Sequence, residues 1–152
     1  LLNIKLENFI RDKEASDHIV VCYIDLDGFK YVNDAFGHEI GDELLKVVSK
    51  KLEGTIKNND FISRIGGDEF VIVLNQLESL EQIEDILKRI VDVVSEQIVI
   101  SDITLNISVS LGAAIYKMHG DEPEHLLRIA DQAMYQAKKS GKNRYYIAQE
   151  NA

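Results

Sequence analysis

The sequence predicts an α/β (α+β) sandwich in which a mixed, mostly antiparallel sheet of about five strands is covered by helices. Short apolar runs that suit strands are interspersed with longer stretches whose apolar residues recur at helical spacing. After a first helix the order is strand, helices, hairpin, helix, strand, helix, strand, which is typical of a layered domain. With 152 residues and 45% hydrophobic content, the chain is long enough for one such domain and too short for two.

The first part of the chain predicts three helices and a buried strand. Apolar residues at helical spacing predict that residues 1–13 form a helix packed on the domain. Residues 18–26 are apolar almost throughout and too few for a helix of this kind, so they predict a central strand covered on both faces. Residues 29–36 predict a short helix, and residues 39–56 carry one apolar face of a longer helix.

The middle of the chain predicts a β-hairpin, because two β-branched runs within residues 61–74 are joined by a Gly-Gly turn. Gly66 and Gly67 can take the positive φ angles of a tight turn and leave its backbone open to a ligand. Asp68 and Glu69 follow at the mouth of this turn. Taken alone, the segment is more typical of a solvated acidic hairpin tip.

A helix and a strand follow the hairpin. Residues 79–98 predict the helix, with Ser79 and Gln82 at the spacing of a capping box. Strict alternation of polar and apolar residues over 104–111 predicts a strand with one solvent-exposed face. Gly112 is expected to allow a bend before the strand continues.

The end of the chain predicts a last helix and an edge strand. The helix is expected to begin near Asp121 as N-cap, with Pro123 in its first turn, and to stop at Gly141. Residues 144–147 predict a short edge strand.

The composition disfavours some classes of function. A net charge of -9 and a pI near 4.9 argue against broad binding to nucleic acid or an anionic membrane, because both require a basic face. Cys22 is the only cysteine, so no internal disulfide can form; a reduced, cytoplasmic setting and a role in core packing are favoured. No apolar stretch approaches the roughly 20 residues of a membrane span. The chain starts without methionine, so we expect it to be part of a longer protein.

Two groups of carboxylates can meet in the predicted fold. Asp25 and Asp27 end the first strand, and Asp68 and Glu69 follow the Gly-Gly turn. Their mutual repulsion costs stability unless cations bind, and oxygen ligands suit Mg²⁺ or Mn²⁺. Such ions take further ligands from substrate phosphates, which predicts phosphoryl or nucleotidyl transfer. For either aspartate of the strand alone, a strand end in solvent is the favoured interpretation, but the whole group of acids argues against it.

Four segments of the chain carry a resemblance to a known family. The first segment, residues 25–34, begins with Asp-Leu-Asp-Gly-Phe-Lys, and the second, residues 36–42, begins with Phe-Gly-His. The third, residues 64–70, is Arg-Ile-Gly-Gly-Asp-Glu-Phe, and the fourth, residues 130–144, begins with Ala-Asp-Gln-Ala-Met-Tyr. In this order they resemble the GGDEF domain of bacterial diguanylate cyclases, over nearly all of residues 1–152. The start departs from the pattern, since it resembles only the tail of the family's opening motif and is truncated within it. The resemblance implies a fold similar to nucleotidyl cyclase and polymerase palm domains.

The resemblance implies condensation of two GTP molecules into cyclic di-GMP with release of two pyrophosphates. It implies that Asp25, the carbonyl of Leu26 and Asp68 hold Mg²⁺ (or Mn²⁺), with Glu69 completing or supporting the site. Asp68 would also accept the proton of the attacking 3′-hydroxyl, although a metal-bound carboxylate is a weak base and activation by the metal is the alternative. Lys30 would stabilise charge on the phosphates; without the nearby acids it would be an ordinary solvated lysine.

Other residues fall where the family contacts its nucleotide. Asp42 can accept both N–H groups of the guanine edge and Asn33 can pair with its remaining atoms, a pattern that adenine does not present. His38 would lie near the nucleotide or, equally, serve as a packing residue at a helix start. Lys138 and Lys142, one helical turn apart, would reach the terminal phosphates, or complement the dipole of the helix that they end.

The family's product-inhibition motif, Arg-x-x-Asp, is degenerate here. Its positions are occupied by Lys57, Asn58, Asn59 and Asp60, so only the aspartate fits. Lysine lacks the planar fork with which arginine bonds two acceptors, which predicts weak or absent product inhibition. The same four residues are also typical of a polar turn between helix and strand.

The implied reaction also predicts partners. Because one domain has one guanine site, two copies of the domain must meet face to face as a homodimer, and the family implies an upstream sensory region, which a membrane tether could accompany. A catalytically weak module that binds GTP or cyclic di-GMP is the alternative, and a polymerase-like or mononucleotide cyclase palm is a third possibility. The presence of the turn acids favours the enzyme.

Overall fold

A computed structural model describes residues 2–13 and 17–149 of the chain. Five helices and seven strands are formed within these residues. In chain order they are α1 (Leu2–Arg11), β1 (His18–Asp27), α2 (Phe29–Phe36), α3 (His38–Glu53), β2 (Phe61–Arg64), β3 (Glu69–Leu77), α4 (Leu80–Ser95), β4 (Ile98–Ile100), β5 (Ile103–Leu105), β6 (Ser108–Ile115), α5 (Pro123–Lys139) and β7 (Arg144–Ile147). The predicted order of elements is confirmed, with one additional small hairpin, β4–β5. Leu1 and residues 150–152, which we assigned to the first helix and to the domain, lie outside the described residues.

The central sheet confirms the predicted fold class. Its strand order is β2-β3-β1-β6-β7, so β1 is the middle strand. β1 pairs antiparallel with β3 and β6, β2 pairs antiparallel with β3, and only the β6–β7 pair is parallel. The register places Asp25 between Glu69 of β3 and Ser110 of β6. The hairpin acids and the end of β1 therefore lie at the same edge of the sheet.

Helices cover both faces of the sheet, and most side chains of the central strand β1 are therefore buried. Val20, Cys22 and Ile24 belong to a core that includes residues of α3 and α4. Ile19 and Val21 point the other way, into a smaller core with residues of α1 and α5. Cys22 is fully buried, which confirms its role in packing, and burial raises the pKa of its thiol.

Helix α5 packs against the centre of the sheet at unusually close range. A Cβ atom added to Gly112 of β6 would overlap the backbone of α5 at Ala130, Ala133 and Met134. The strand continues through Gly112 to Ile115, as predicted. Gly112 is required for the close approach of the helix.

Two strand predictions are wrong because the sheet neighbours differ from those assumed. The predicted strand 104–111 is divided between β5, which pairs with β4, and β6 in the main sheet. Ser101 and Asp102 join β4 to β5 with φ angles of 47° and 65°, as a tight hairpin turn requires. The predicted solvent-exposed face does not exist in β6, where Ser110 is fully buried. A serine can be buried there because a neighbouring carboxylate accepts its hydroxyl hydrogen, as described below.

Helix boundaries also differ in places. α4 ends at Ser95 instead of Ile98, which belongs to β4; at its start Ser79 Oγ accepts from the N–H of Gln82, as predicted. The Gln82 side chain accepts from Glu78 rather than from Ser79.

The ends of two other helices are set by their caps. α3 ends at Glu53 and not at the predicted Ile56. Just after the helix, Thr55 Oγ donates to the Leu52 carbonyl. The N-cap of α5 is Glu122, not Asp121, and it makes no side-chain cap bond. Within residues 2–13 and 17–149, no helix combines the length and the apolar character that a membrane span requires.

The packing of α5 predicts that Gly112→Ala is strongly destabilising. The added methyl group meets helix backbone, which cannot rotate away, so we expect a loss of about 3 kcal/mol, the upper end for overpacking. Melting temperature should fall by about 6 to 12 °C for a domain of this size. Gly67→Ala is the matched control, because nothing lies within 4 Å of its added Cβ. Equal melting temperatures for the two variants would contradict this account of α5.

Candidate active site

Asp25 is the central carboxylate of the candidate site. Its Oδ2 atom lies 2.7 Å from Nζ of Lys138, and its side chain is only 14% exposed. Its Oδ1 atom is buried and has no hydrogen-bond partner among the described residues. Burial raises the pKa of Asp25 to about 6; Lys138 acts against this rise, and the negative charge of Asp68 adds to it. The strand thus carries a buried carboxylate oxygen whose hydrogen-bonding capacity is not met within the described residues.

The hairpin places its two acids beside Asp25. The N–H of Leu26 donates to the carbonyl of Asp68 at 3.1 Å, which fixes the turn against the end of β1. Glu69 lies directly opposite Asp25 in the β1–β3 register. Glu69 Oε1 also accepts a 3.4 Å hydrogen bond from the hydroxyl of Tyr23, whose pKa is raised to about 12 by burial and by the charge of Glu69. Both carboxylates therefore share one edge of the sheet with Asp25.

The space around the Gly-Gly turn is free, but its glycines do not have the positive φ angles that we expected. Neither Gly66 nor Gly67 has a positive φ angle, so that expectation is wrong. A Cβ added to Gly67 would meet nothing within 4 Å, and one added to Gly66 would meet only Glu69 Oε1 at 3.7 Å. Neither packing nor backbone geometry therefore demands glycine at these positions. What remains is the expectation that the bare backbone admits a ligand.

Asp27 does not join the acidic cluster that the sequence suggested. It is 7% exposed, and its oxygens accept hydrogen bonds from Ser108 Oγ, Ser110 Oγ and the backbone N–H of Asn143. These three donors occupy the carboxylate. Asp27 is therefore a buried anchor between β1, β6 and the turn that follows α5.

The donor set fits a hard divalent cation, but it is not a finished cage. Among residues 2–13 and 17–149, no three His, Cys, Asp or Glu side chains are grouped so as to hold a metal ion. Asp25, Asp68 and Glu69 offer only oxygen donors, as Mg²⁺ and Mn²⁺ prefer, and Asp25 keeps one oxygen without a partner. The proposed contribution of the Leu26 carbonyl stays a prediction.

The predicted guanine-binding residues lie on α2 and α3. Asn33 is half-buried, and its Oδ1 atom has no hydrogen-bond partner in the described part of the chain. A Cβ on Gly41 would overlap that amide, so α3 contacts α2 closely at this point. Asp42, next to Gly41, is exposed. An acceptor without a partner and an exposed carboxylate are thus presented near the junction of the two helices.

The remaining predicted substrate residues are exposed with one exception. Lys30, on the first turn of α2, and His38, at the start of α3, are both exposed. Lys138 is half-buried and bonded to Asp25, whereas Lys142 is exposed and lies beyond the end of α5 rather than one turn further along it. Contacts of these four side chains with a substrate stay predictions.

The degenerate Arg-x-x-Asp positions form a turn that uses its own aspartate. Asp60 Oδ2 accepts from the N–H of Lys57 at 2.9 Å, and Asp60 Oδ1 accepts from the N–H of Asn75 at 3.0 Å. Both oxygens thus stabilise the connection between α3, β2 and β3. The interpretation as a polar turn agrees with this geometry, and the Lys57 side chain is exposed.

Sequence reasoning missed the residues that support the site. Tyr23 donates to Glu69, and Ser108 and Ser110 donate to Asp27. Residues at i and i+2 of a strand share a face, so parity alone places Tyr23 beside Asp25. The serines carried no such signal, because their partner depends on which strand pairs with β1.

The sequence profile described as "Diguanylate cyclase, GGDEF domain" matches residues 1–144. The chain belongs to this family. It is 42% identical over 127 residues to the diguanylate cyclase DosC of Escherichia coli, a match that covers 82% of this chain and 27% of DosC. Matches to other curated relatives, which are 35% to 40% identical to this chain, likewise cover only 17% to 35% of the length of those relatives.

Solved structures agree with the assignment. The isolated GGDEF domain of TpbB from Pseudomonas aeruginosa is 34% identical with a TM-score of 0.92, and the match covers 97% of this chain and 87% of that one. The GGDEF domain of DgcB from Caulobacter crescentus, solved in complex with cyclic di-GMP, is 25% identical with a TM-score of 0.82, covering 96% and 85%. The predicted fold and family are confirmed, and relatives in this family are named as diguanylate cyclases. β7, which runs to Ile147, belongs to the same sheet as the matched residues.

The crowding of Asp25 and Asp68 predicts a small stabilisation by Asp68→Asn in buffer that contains a chelator. Relief of one repulsion between partly exposed acids is about 0.5 kcal/mol, which corresponds to about 1 to 2 °C in melting temperature. Asp121→Asn is the control: it removes an exposed acid that precedes α5, at the opposite end of that helix from Lys138, and should leave the melting temperature unchanged. A lower melting temperature for Asp68→Asn would show that Asp68 stabilises the fold.

Proposed function

We propose that this GGDEF domain is a diguanylate cyclase that condenses two GTP molecules into cyclic di-GMP and releases two pyrophosphates. The observation that carries the proposal is the convergence of Asp25, from the central strand, with Asp68 and Glu69, from the hairpin, in a chain of this family. Family members without these acids lose the means to hold a metal ion, whereas this chain keeps all three.

The acids and Lys30 account for the chemistry. Asp25, the Leu26 carbonyl, Asp68 and Glu69 would hold Mg²⁺ or Mn²⁺, which when bound neutralises phosphate charge and favours ionisation of an attacking hydroxyl. Asp68, on the solvent-facing turn, would accept the proton of the ribose 3′-hydroxyl. Lys30 projects from the first turn of α2 and would stabilise charge that develops on the α-phosphate.

The helices account for the choice of nucleotide. Asp42 is an acceptor only and would take the two N–H donors of the guanine edge, while Asn33 pairs with the remaining atoms. The unpartnered Oδ1 of Asn33 supports this role, since a buried acceptor without a donor costs free energy. His38 would lie beside the nucleotide. Lys142 would bind the terminal phosphates. Lys138 would bind them too if it leaves its ion pair with Asp25.

The proposal requires two copies of the domain. Asn33 and Asp42 form a single guanine site per chain, and each 3′-hydroxyl must attack the phosphate of the other nucleotide. A homodimer therefore brings the two sites face to face during turnover. The relatives are several times longer than this chain, which supports an upstream sensory region in the full-length protein. That region would regulate the pairing of two GGDEF domains in the cytoplasm.

The decisive experiment is incubation with GTP and Mg²⁺, with the product identified by mass spectrometry. We expect cyclic di-GMP, at a rate that rises more steeply than the first power of protein concentration because two domains must meet. Asp68→Asn should abolish turnover with an unchanged circular dichroism spectrum, while Asp121→Asn retains it.

Other results of that experiment have defined meanings. A cyclic mononucleotide would indicate a mononucleotide cyclase, and nucleotide binding without product would indicate a regulatory binding module. A rate strictly proportional to protein at low micromolar concentration would contradict the requirement for two domains. Unchanged turnover by Asp68→Asn would remove Asp68 from the mechanism.

The occupied carboxylate of Asp60 predicts weak product inhibition. Lys57 offers a flexible point charge where arginine would offer a fork, which forfeits about 1 to 3 kcal/mol, the value of a good bidentate contact to a base. Product affinity should be lower by about one to two decades. Calorimetric titration with cyclic di-GMP measures this directly, and Lys57→Arg should strengthen binding. Submicromolar affinity of the unchanged chain that is lost in Lys57→Ala would refute the prediction.

A further inference from the structure

Asp27 holds two separate parts of the fold with one buried carboxylate. Its Oδ1 atom accepts from Ser110 Oγ at 2.8 Å. Its Oδ2 atom accepts from Ser108 Oγ at 2.7 Å and from the backbone N–H of Asn143 at 3.1 Å. Hydrogen bonds to an ionised acceptor are about twice as strong as neutral ones. The two serines fix the carboxylate on β6, and the carboxylate in turn fixes the turn after α5.

That turn has an uncommon backbone. Gly141, Lys142 and Asn143 have φ angles of 122°, 63° and 51°, so two successive residues with side chains adopt the left-handed region. Such residues persist where their surroundings determine the conformation, and they cluster at functional sites. Three hydrogen bonds hold these residues: the N–H of Lys142 donates to the Ala137 carbonyl at 3.0 Å, the N–H of Asn143 donates to Asp27, and Arg144 Nε donates to the Lys142 carbonyl at 3.0 Å.

Lys142 therefore lies between two fixed points, with its side chain exposed. One point is the end of α5 and the other is the end of β1. Asp25, two residues before Asp27 on the same face of the strand, is paired with Lys138 on the last turn of α5. Asp25 thus contacts the last turn of α5, which carries Lys138, and Asp27 contacts the turn after α5, which carries Lys142.

We propose that Asp27 is a positioning residue that orients Lys142 toward the terminal phosphates of the nucleotide. The inference rests on the proposed function, because it takes a nucleoside triphosphate as the ligand. Asp27 itself touches no substrate. Its carboxylate sets the direction of the Lys142–Asn143 backbone, and that direction decides where the Lys142 ammonium group can reach.

A purely structural role for Asp27 makes a different prediction. Loss of a buried anchor would lower stability and leave the affinity of the folded protein for nucleotide unchanged. A positioning role requires that the loss of affinity pass through Lys142. A double-mutant cycle between the two residues separates these cases, because it isolates their coupling from their separate effects.

The test measures binding of the non-reactive analogue α,β-methylene-GTP with Mg²⁺ by calorimetry. It uses the unchanged chain, Asp27→Asn, Lys142→Ala and the double variant. We expect each single change to weaken binding by about tenfold, the scale of one charge-assisted contact. The double variant should bind within about twofold of Lys142→Ala. Thr55→Val is the control: Thr55 is also 7% exposed, and its hydroxyl bonds the Leu52 carbonyl away from this turn, so stability falls while affinity does not.

Each outcome bears on the proposal. Additive losses in the double variant, or unchanged affinity of folded Asp27→Asn, would overturn it. If Asp27→Asn does not fold, the pair Ser108→Ala and Ser110→Ala replaces it, since these changes free the carboxylate at little cost in volume, and the same non-additivity with Lys142→Ala is required. Absence of analogue binding to the unchanged chain would instead refute the proposed function, and with it this inference.

Discussion

The close packing of α5 on the centre of the sheet is the constraint on which the candidate site depends. Gly112 leaves no side chain between β6 and the backbone of the helix. The last turn of α5 therefore reaches the end of β1, where Lys138 pairs with Asp25. The turn after the helix then reaches Asp27 through Asn143. A larger residue at position 112 would displace both contacts together, because they lie on one rigid helix and the turn that follows it.

Asp25 and Asp27 show how neighbours decide the use of a side chain. They are the same residue type, two positions apart on one face of one strand. Asp27 lies beside Ser108 and Ser110, whose hydroxyls occupy it. Among the described residues, Asp25 Oδ2 pairs with Lys138, and its buried Oδ1 has no hydrogen-bond partner although the acid of Asp68 is near. The first arrangement stabilises the fold, whereas the second leaves free energy to be gained by binding a cation.

Most of the fold could be predicted from local periodicity. α2 has the predicted bounds, and α4 begins where the Ser79 cap predicts, because caps and apolar stripes are properties of a few consecutive residues. The failures were in the strands. Alternation over 104–111 indicated one wet face, yet β6 is covered on both faces, and the polar residues on it serve Asp27. A buried serine and an exposed one look the same in sequence, because the difference lies in a partner about 80 residues away.

The sequence by itself determined the fold class, the family and the acids of the site, because these follow from spacing along the chain and from motifs in a fixed order. Tertiary structure alone decided which acid keeps an oxygen without a hydrogen-bond partner and which is an anchor, that Lys138 pairs with Asp25, and that Asp60 stabilises its own turn. The physical reason is that hydrogen bonds and ion pairs act over about 3 Å in space, irrespective of separation in the chain. Strand register and the approach of α5 bring those partners within that distance, and neither can be read from a local pattern.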